Sequence, residues 1–145
     1  MNPILGKSDG KNVFIDVGRL VETRMLVQAN SGAGKSQTLR RILEQTFGKV
    51  QHLVIDSEGE FSTLREKFDY IICAPHGADA VATPKTASVL ARWLLKTRTS
   101  AILDISDLKS HERVRFVRLF VEALMSAPKN LWNPVIVAEY FPIYK

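Results

Sequence analysis

Residues 25–36 read Met25-Leu26-Val27-Gln28-Ala29-Asn30-Ser31-Gly32-Ala33-Gly34-Lys35-Ser36, an apolar run that passes into small residues and ends in Gly-Lys-Ser. No other stretch restricts the fold as tightly. Small residues from Ser31 to Gly34 let successive backbone N–H groups turn inward on an anion. A helix opening at Lys35 would aim its free N–H groups and positive dipole end at the same point. The spacing therefore predicts a strand, a phosphate-binding loop and a helix in that order, with Asn30, Ser31, Gly32, Ala33, Gly34, Lys35, Ser36 and Gln37 around the phosphates. Lys35 is expected to reach the β- and γ-phosphates and Ser36 to ligate Mg2+. The strict pattern has Gly five residues before Gly34, where this chain has Ala29. That change narrows the turn without removing an N–H donor.

The helix can be checked by its period. Leu39, Ile42, Leu43 and Phe47 repeat at helical spacing, with Arg40, Arg41, Glu44 and Gln45 turned away, and Gly48 ends the stripe. Upstream, two short apolar runs flank Ser8-Asp9-Gly10-Lys11, which suggests a hairpin over about residues 4–16. Downstream, apolar runs at 52–56, 70–74, 101–105 and 135–138 alternate with amphipathic segments, among them one opening at Thr83-Pro84 and one over about Ser110 to Met125. In the first, Leu90, Trp93 and Leu94 are expected to face inward; in the second, Val114, Val117, Val121 and Leu124. Continuous apolar strands alternating with amphipathic helices predict an α/β fold with a mostly parallel sheet covered on both faces.

Ligands of such sheets bind at the carboxyl ends of the strands. A phosphate loop needs an acid there for the Mg2+ shell and a carboxylate to orient the attacking water. Three strand ends compete. Asp56 opens the acidic run Asp56-Ser57-Glu58-Gly59-Glu60, Asp104 precedes Ser106 and Asp107, and Glu139 follows Ala138. Capping of the following turn is the alternative role for Asp56 and Asp104, since Asp favours turns on its own account.

At 145 residues the chain is expected to be a single domain. No apolar run is long enough to span a bilayer, and the first residues lack the apolar core of a secretion signal, so a cytoplasmic protein without membrane contact is expected. The single Cys73 excludes an internal disulfide and reads as a small core residue. Net charge is +5, a modest excess that suits a polyanionic partner. No Asn-Lys-x-Asp element for guanine is present, so ATP is the expected nucleotide.

The phosphate loop, the turn Asp56-Ser57-Glu58-Gly59-Glu60-Phe61 and the segment Leu103-Asp104-Ile105-Ser106-Asp107-Leu108 together resemble the ATPase domain of the HerA/FtsK superfamily. That resemblance implies a three-layer RecA-like P-loop NTPase core over about residues 20–139, with ATP and Mg2+ as cofactors. It also implies DNA as a partner and a homo-oligomer, usually a hexamer. Within it, Lys35, Glu58 and Glu139 would serve catalysis, and Ser36 and Asp56 the metal. The family pattern places an Asp-Glu pair after the strand at 135–138, where this chain has Ala138-Glu139. The expectation is a shortened DNA translocase or helicase core that binds ATP and hydrolyses it poorly. A small P-loop kinase, with a lid drawn from Arg113, Arg115 and Arg118, and a non-catalytic nucleotide-dependent interaction module are the alternatives.

Overall fold

The computed structural model describes residues 2–22 and 35–140. The predicted strand at 25–29 and the loop residues Asn30, Ser31, Gly32, Ala33 and Gly34 lie outside them. Ile4–Ser8 (β1) and Lys11–Phe14 (β2) pair antiparallel around Asp9-Gly10, both residues at positive φ (49° and 75°). Only Gly takes that conformation freely and Asp tolerates it, which is why this dipeptide closes the predicted hairpin. A short helix, Val17–Glu22 (α1), follows, and Lys35–Thr46 (α2) is the helix behind the phosphate loop.

The main sheet is built from Gln51–Asp56 (β3), Ile71–Ala74 (β4), Ala80–Val81 (β5), Ala101–Asp104 (β6) and Val135–Tyr140 (β7). Its order is β5-β4-β6-β3-β7, and every pairing is parallel. All six residues of β3 are buried, as a strand flanked on both edges and covered on both faces must be.

Alternation along the strands divides the core in two. Val54, Ile102 and Ala138 face α2 and pack with Leu39, Leu43, Phe47, Phe61 and Tyr70. Leu53, Ile55 and Leu103 face the helices Ala87–Thr97 (α3) and Ser110–Met125 (α4). Helix, sheet and helix thus form the expected three-layer α/β core of RecA-like type.

Two helical faces differ from the expectation. On α4 Val117, Val121 and Leu124 pack partly buried against the core as expected, but the fully buried residues are Phe116, Phe120 and Ala123, and Val114 is 71% exposed. The two overlapping apolar stripes form one wide face, centred on the phenylalanine rings because each ring withdraws far more apolar surface from water than a valine does, which leaves Val114 outside it. On α3, Leu90, Ala91, Leu94 and Leu95 are buried while Trp93 is 45% exposed. That helix also begins at Ala87 rather than at Pro84. Thr86 accepts the Thr83 N–H (3.0 Å) and donates to the Val81 carbonyl (2.8 Å), holding residues 83–86 in a turn.

A buried polar network secures the amino-terminal edge of the sheet. Gln51 donates to the Leu94 and Thr99 carbonyls, both at 2.8 Å, and accepts from Asn133 at 2.9 Å, tying α3, β3 and the approach to β7. Beside it His52 lies between Thr46 and Tyr70. The one hydroxyl proton of Thr46 goes to the Ile42 carbonyl (2.8 Å), so its oxygen accepts from His52 Nε2–H. His52 Nδ1 is then the acceptor for the Tyr70 hydroxyl. Burial keeps this imidazole neutral, its pKa pushed down from 6.5 to about 4.

Candidate functional site

Helix α2 runs antiparallel to β3. Its last residue, Thr46, bonds His52 near the start of the strand, and Arg40, nearer its beginning, bonds Glu60 just past the strand's end. From Arg40 back to Lys35 the helix rises about 7 Å more, so it begins above the carboxyl edge of the sheet. Its free N–H groups therefore face the side on which β3 and β6 end in acids. Ser36 is half-buried in this first turn and Gln37 is exposed.

Asp56 and Asp104 are level with each other on neighbouring parallel strands, and Glu139 pairs in register with Ile55 on the other side of β3. The two aspartates share the face that carries α2. Glu139 has the strand parity of Val135, which packs on the opposite core, and Ala138, 7% exposed, occupies the position facing α2. Partial burial holds the Glu139 carboxyl above the usual carboxylate range, although the residue as a whole is exposed.

The Asp56 side chain is buried beneath the turn that follows it. Its Oδ1 accepts the backbone N–H groups of Glu58 (3.3 Å), Gly59 (2.9 Å) and Glu60 (3.1 Å), and its Oδ2 accepts that of Phe61 (3.0 Å). Desolvation raises its pKa. The backbone N–H groups of Phe61, Glu60 and Glu58 pull it down, and the neighbouring Asp104 charge adds to the rise. Of its four acceptor positions, one on Oδ2 is left beside the N–H of Phe61. Gly59 sits at φ +72°, and a Cβ there would come within 3.2 Å of the Ser106 hydroxyl. The turn therefore needs both the aspartate at its start and the glycine at its apex.

Both outer layers hold this turn. From α2, Arg40 donates to the Glu60 carbonyl (3.0 Å) and to the Thr63 hydroxyl (2.8 Å). From α4, Arg113 donates to the Ser57 carbonyl (3.2 Å). From β6, the Ile105 N–H bonds the Asp56 carbonyl (3.1 Å). Asp104 in turn accepts the N–H (3.1 Å) and the hydroxyl (2.6 Å) of Ser106. Glu58 and Glu60 are exposed on the turn so fixed.

The structure thus brings Ser36, Asp56 and Glu58 to one edge of the sheet, with Glu139 on the adjoining strand and facing the other layer. The loop residues Asn30 to Gly34 lie outside the described residues, and Lys35 is the first described residue of α2. Arg40 was not legible as a site residue, and Arg113 was named in the sequence only as a kinase lid candidate, not as an anchor of this turn. Arg40 reads in sequence as solvent-facing, and the single clue is its position four residues after Ser36, on the same helix face. Among the described residues no group of three or more His, Cys, Asp or Glu side chains is arranged to hold a metal by itself.

Comparison with known families matches residues 4–126 to the model described as the central domain of the helicase HerA. The match takes in the hairpin, the phosphate loop, the acidic turn and all of α4. The comparisons with curated proteins and with solved structures gave no significant match.

Proposed function

The chain belongs to the family of the HerA helicase central domain, a family of ATP-binding P-loop NTPases, and from that premise we propose that it binds MgATP through Asn30 to Gln37 at the carboxyl edge of its sheet. The observation that carries this reading is the start of α2 above the edge at which Asp56 and Asp104 end their strands. The backbone N–H groups of the loop and helix would hold the phosphates, with Lys35 on the β- and γ-phosphates. Bound Mg2+ would neutralise charge between those phosphates, held by the Ser36 hydroxyl, with the remaining Oδ2 position of Asp56 available to one of its waters. Glu58 is the carboxylate assigned to the region of the γ-phosphate, and Glu139 to the nucleophilic water.

Turnover in this chain is proposed to be weak. Ala138 holds the strand position facing α2, where the related pattern has an aspartate, and Glu139 alone leaves the metal's water shell without that acceptor. This observation also favours a second reading, a module that binds nucleotide and signals through it without hydrolysis. A small-molecule kinase is disfavoured because Arg113, one of its lid candidates, is engaged with the Ser57 carbonyl.

The reading extends to DNA as the polyanionic partner, in keeping with the net charge of +5, and to the core of a cytoplasmic translocase or helicase of a hexamer-forming type that is not a working motor by itself. Among the described residues no helix is long and apolar enough to cross a membrane. The test is an ATP hydrolysis assay with and without DNA, run beside a binding titration. Binding with negligible turnover supports the nucleotide-binding core. Rapid DNA-stimulated turnover would show that the acids present suffice for a motor, and phosphate transfer to a small acceptor would establish the kinase instead.

A further inference from the structure

We infer that Arg40 is a positioning residue that couples occupancy of the phosphate loop to the Asp56–Phe61 turn. The inference rests on nucleotide binding at that loop. Ser36 and Arg40 are four residues apart on α2 and share one face of the helix. The Arg40 guanidinium then spans to two groups of the turn region, the Glu60 carbonyl at 3.0 Å and the Thr63 hydroxyl at 2.8 Å. Its fork is planar and its donors are fixed relative to one another, so a shift of α2 is passed to both acceptors together.

The receiving element is built to respond as a unit. Four consecutive backbone N–H groups, from Glu58 to Phe61, end on the single carboxylate of Asp56. A displacement at Glu60 therefore alters the bonding of its neighbours as well. On the opposite side Arg113 of α4 holds the Ser57 carbonyl, and the Ile105 N–H holds that of Asp56. The turn thus has a fixed side against α4 and β6 and a side fastened to the nucleotide helix. Phosphate bound at the start of α2 restrains that helix and, through Arg40, draws Gly59, Glu60 and Phe61 into a tighter hold on Asp56. The consequence is an acidic turn whose order reports whether nucleotide is bound.

Amide hydrogen exchange reads these N–H groups directly. It is followed over the peptide spanning 57–61 in the full chain, with and without magnesium and a non-hydrolysable ATP analogue. The variants are Arg40→Gln and Thr63→Val, the second removing one exposed anchor without touching α2. Nucleotide affinity is measured on the same samples. In the wild type, exchange of this peptide is expected to slow by about tenfold on nucleotide binding. In Arg40→Gln the affinity should stay within about threefold while the slowing falls below about twofold, with Thr63→Val between the two. Slowing of equal size in the wild type and Arg40→Gln would overturn the coupling, as would binding to the wild type with no change in this peptide. Failure of the wild type to bind nucleotide at all would overturn the proposed function and the coupling with it.

Discussion

Asp56 and Asp104 are level with each other on adjacent parallel strands, and each turns its carboxylate onto the loop that follows its own strand. Asp56 takes four backbone N–H groups, whereas Asp104 takes the N–H and hydroxyl of Ser106. Two acids at one sheet edge are thereby divided between loops that meet where Gly59 approaches Ser106.

Replacing Asp56 by Ala leaves those four N–H groups, one buried and three part-buried, without their acceptor. The loss should be about 3 kcal/mol of unfolding free energy, the scale of a charged hydrogen-bond acceptor removed from buried donors. Urea denaturation of the variant checks it, and a change below about 1 kcal/mol would show that the turn holds itself without the carboxylate.

Gly59→Ala tests the apex of the same turn. Its backbone sits at φ +72° and the added methyl would come within 3.2 Å of the Ser106 hydroxyl. A side chain in the left-handed region costs about 1–2 kcal/mol. Stability should fall by that amount, and Ser106→Gly in the same background should recover only the part due to the close contact.

His52 gives the protein an acid-sensitive step. Its folded pKa is about 4 against 6.5 unfolded, so at intermediate pH the unfolded chain binds the proton and the folded chain does not. Stability from this group is complete above about pH 6.5, is lost as pH falls toward 4, and changes no further below that. The shift corresponds to about 3 kcal/mol. Asp56, whose carboxyl is raised chiefly by burial, acts with the opposite sign, losing stability as pH rises through its folded value. Denaturation of the wild type and His52→Gln across this range isolates the histidine. The variant should lack the extra acid slope, and equal slopes would mean that the imidazole is already protonated in the fold.

Ala138→Asp restores the acid at the strand position facing α2. Turnover of MgATP should rise by about tenfold or more, within the range that a positioned charge adds to phosphoryl transfer. A stably folded variant with unchanged turnover would place the cause of slow hydrolysis elsewhere.

Four strands of the main sheet were legible because parallel strands buried on both faces must be written as uninterrupted apolar runs, as those ending at Asp56 and Asp104 are, whereas β5, two residues long, left no such run. The hairpin was legible from Asp9-Gly10 for the same kind of reason, a backbone conformation that few residues accept. Helix α4 was harder. Its valine and phenylalanine stripes both satisfy the helical period; the larger rings set the centre of the buried face, so Val117, Val121 and Leu124 lie at its margin and Val114 falls outside it. Asp56 and Asp104 stand at strand ends as the sequence places them, and the capping alternative describes the hydrogen bonds of both. The contacts that make anchors of Arg40 and Arg113 could not be read. Each joins a side chain to a backbone carbonyl, 20 residues away for Arg40 and 56 for Arg113, and neither contact leaves a pattern in composition or spacing.

The central claim is nucleotide binding at the start of α2, and calorimetric titration of MgATP into the wild type and Lys35→Ala tests it most directly. The account predicts saturable one-site binding by the wild type and a loss of at least about tenfold in affinity when the lysine charge is removed from the β- and γ-phosphates. Equal binding by the two proteins, or none by the wild type, would contradict it.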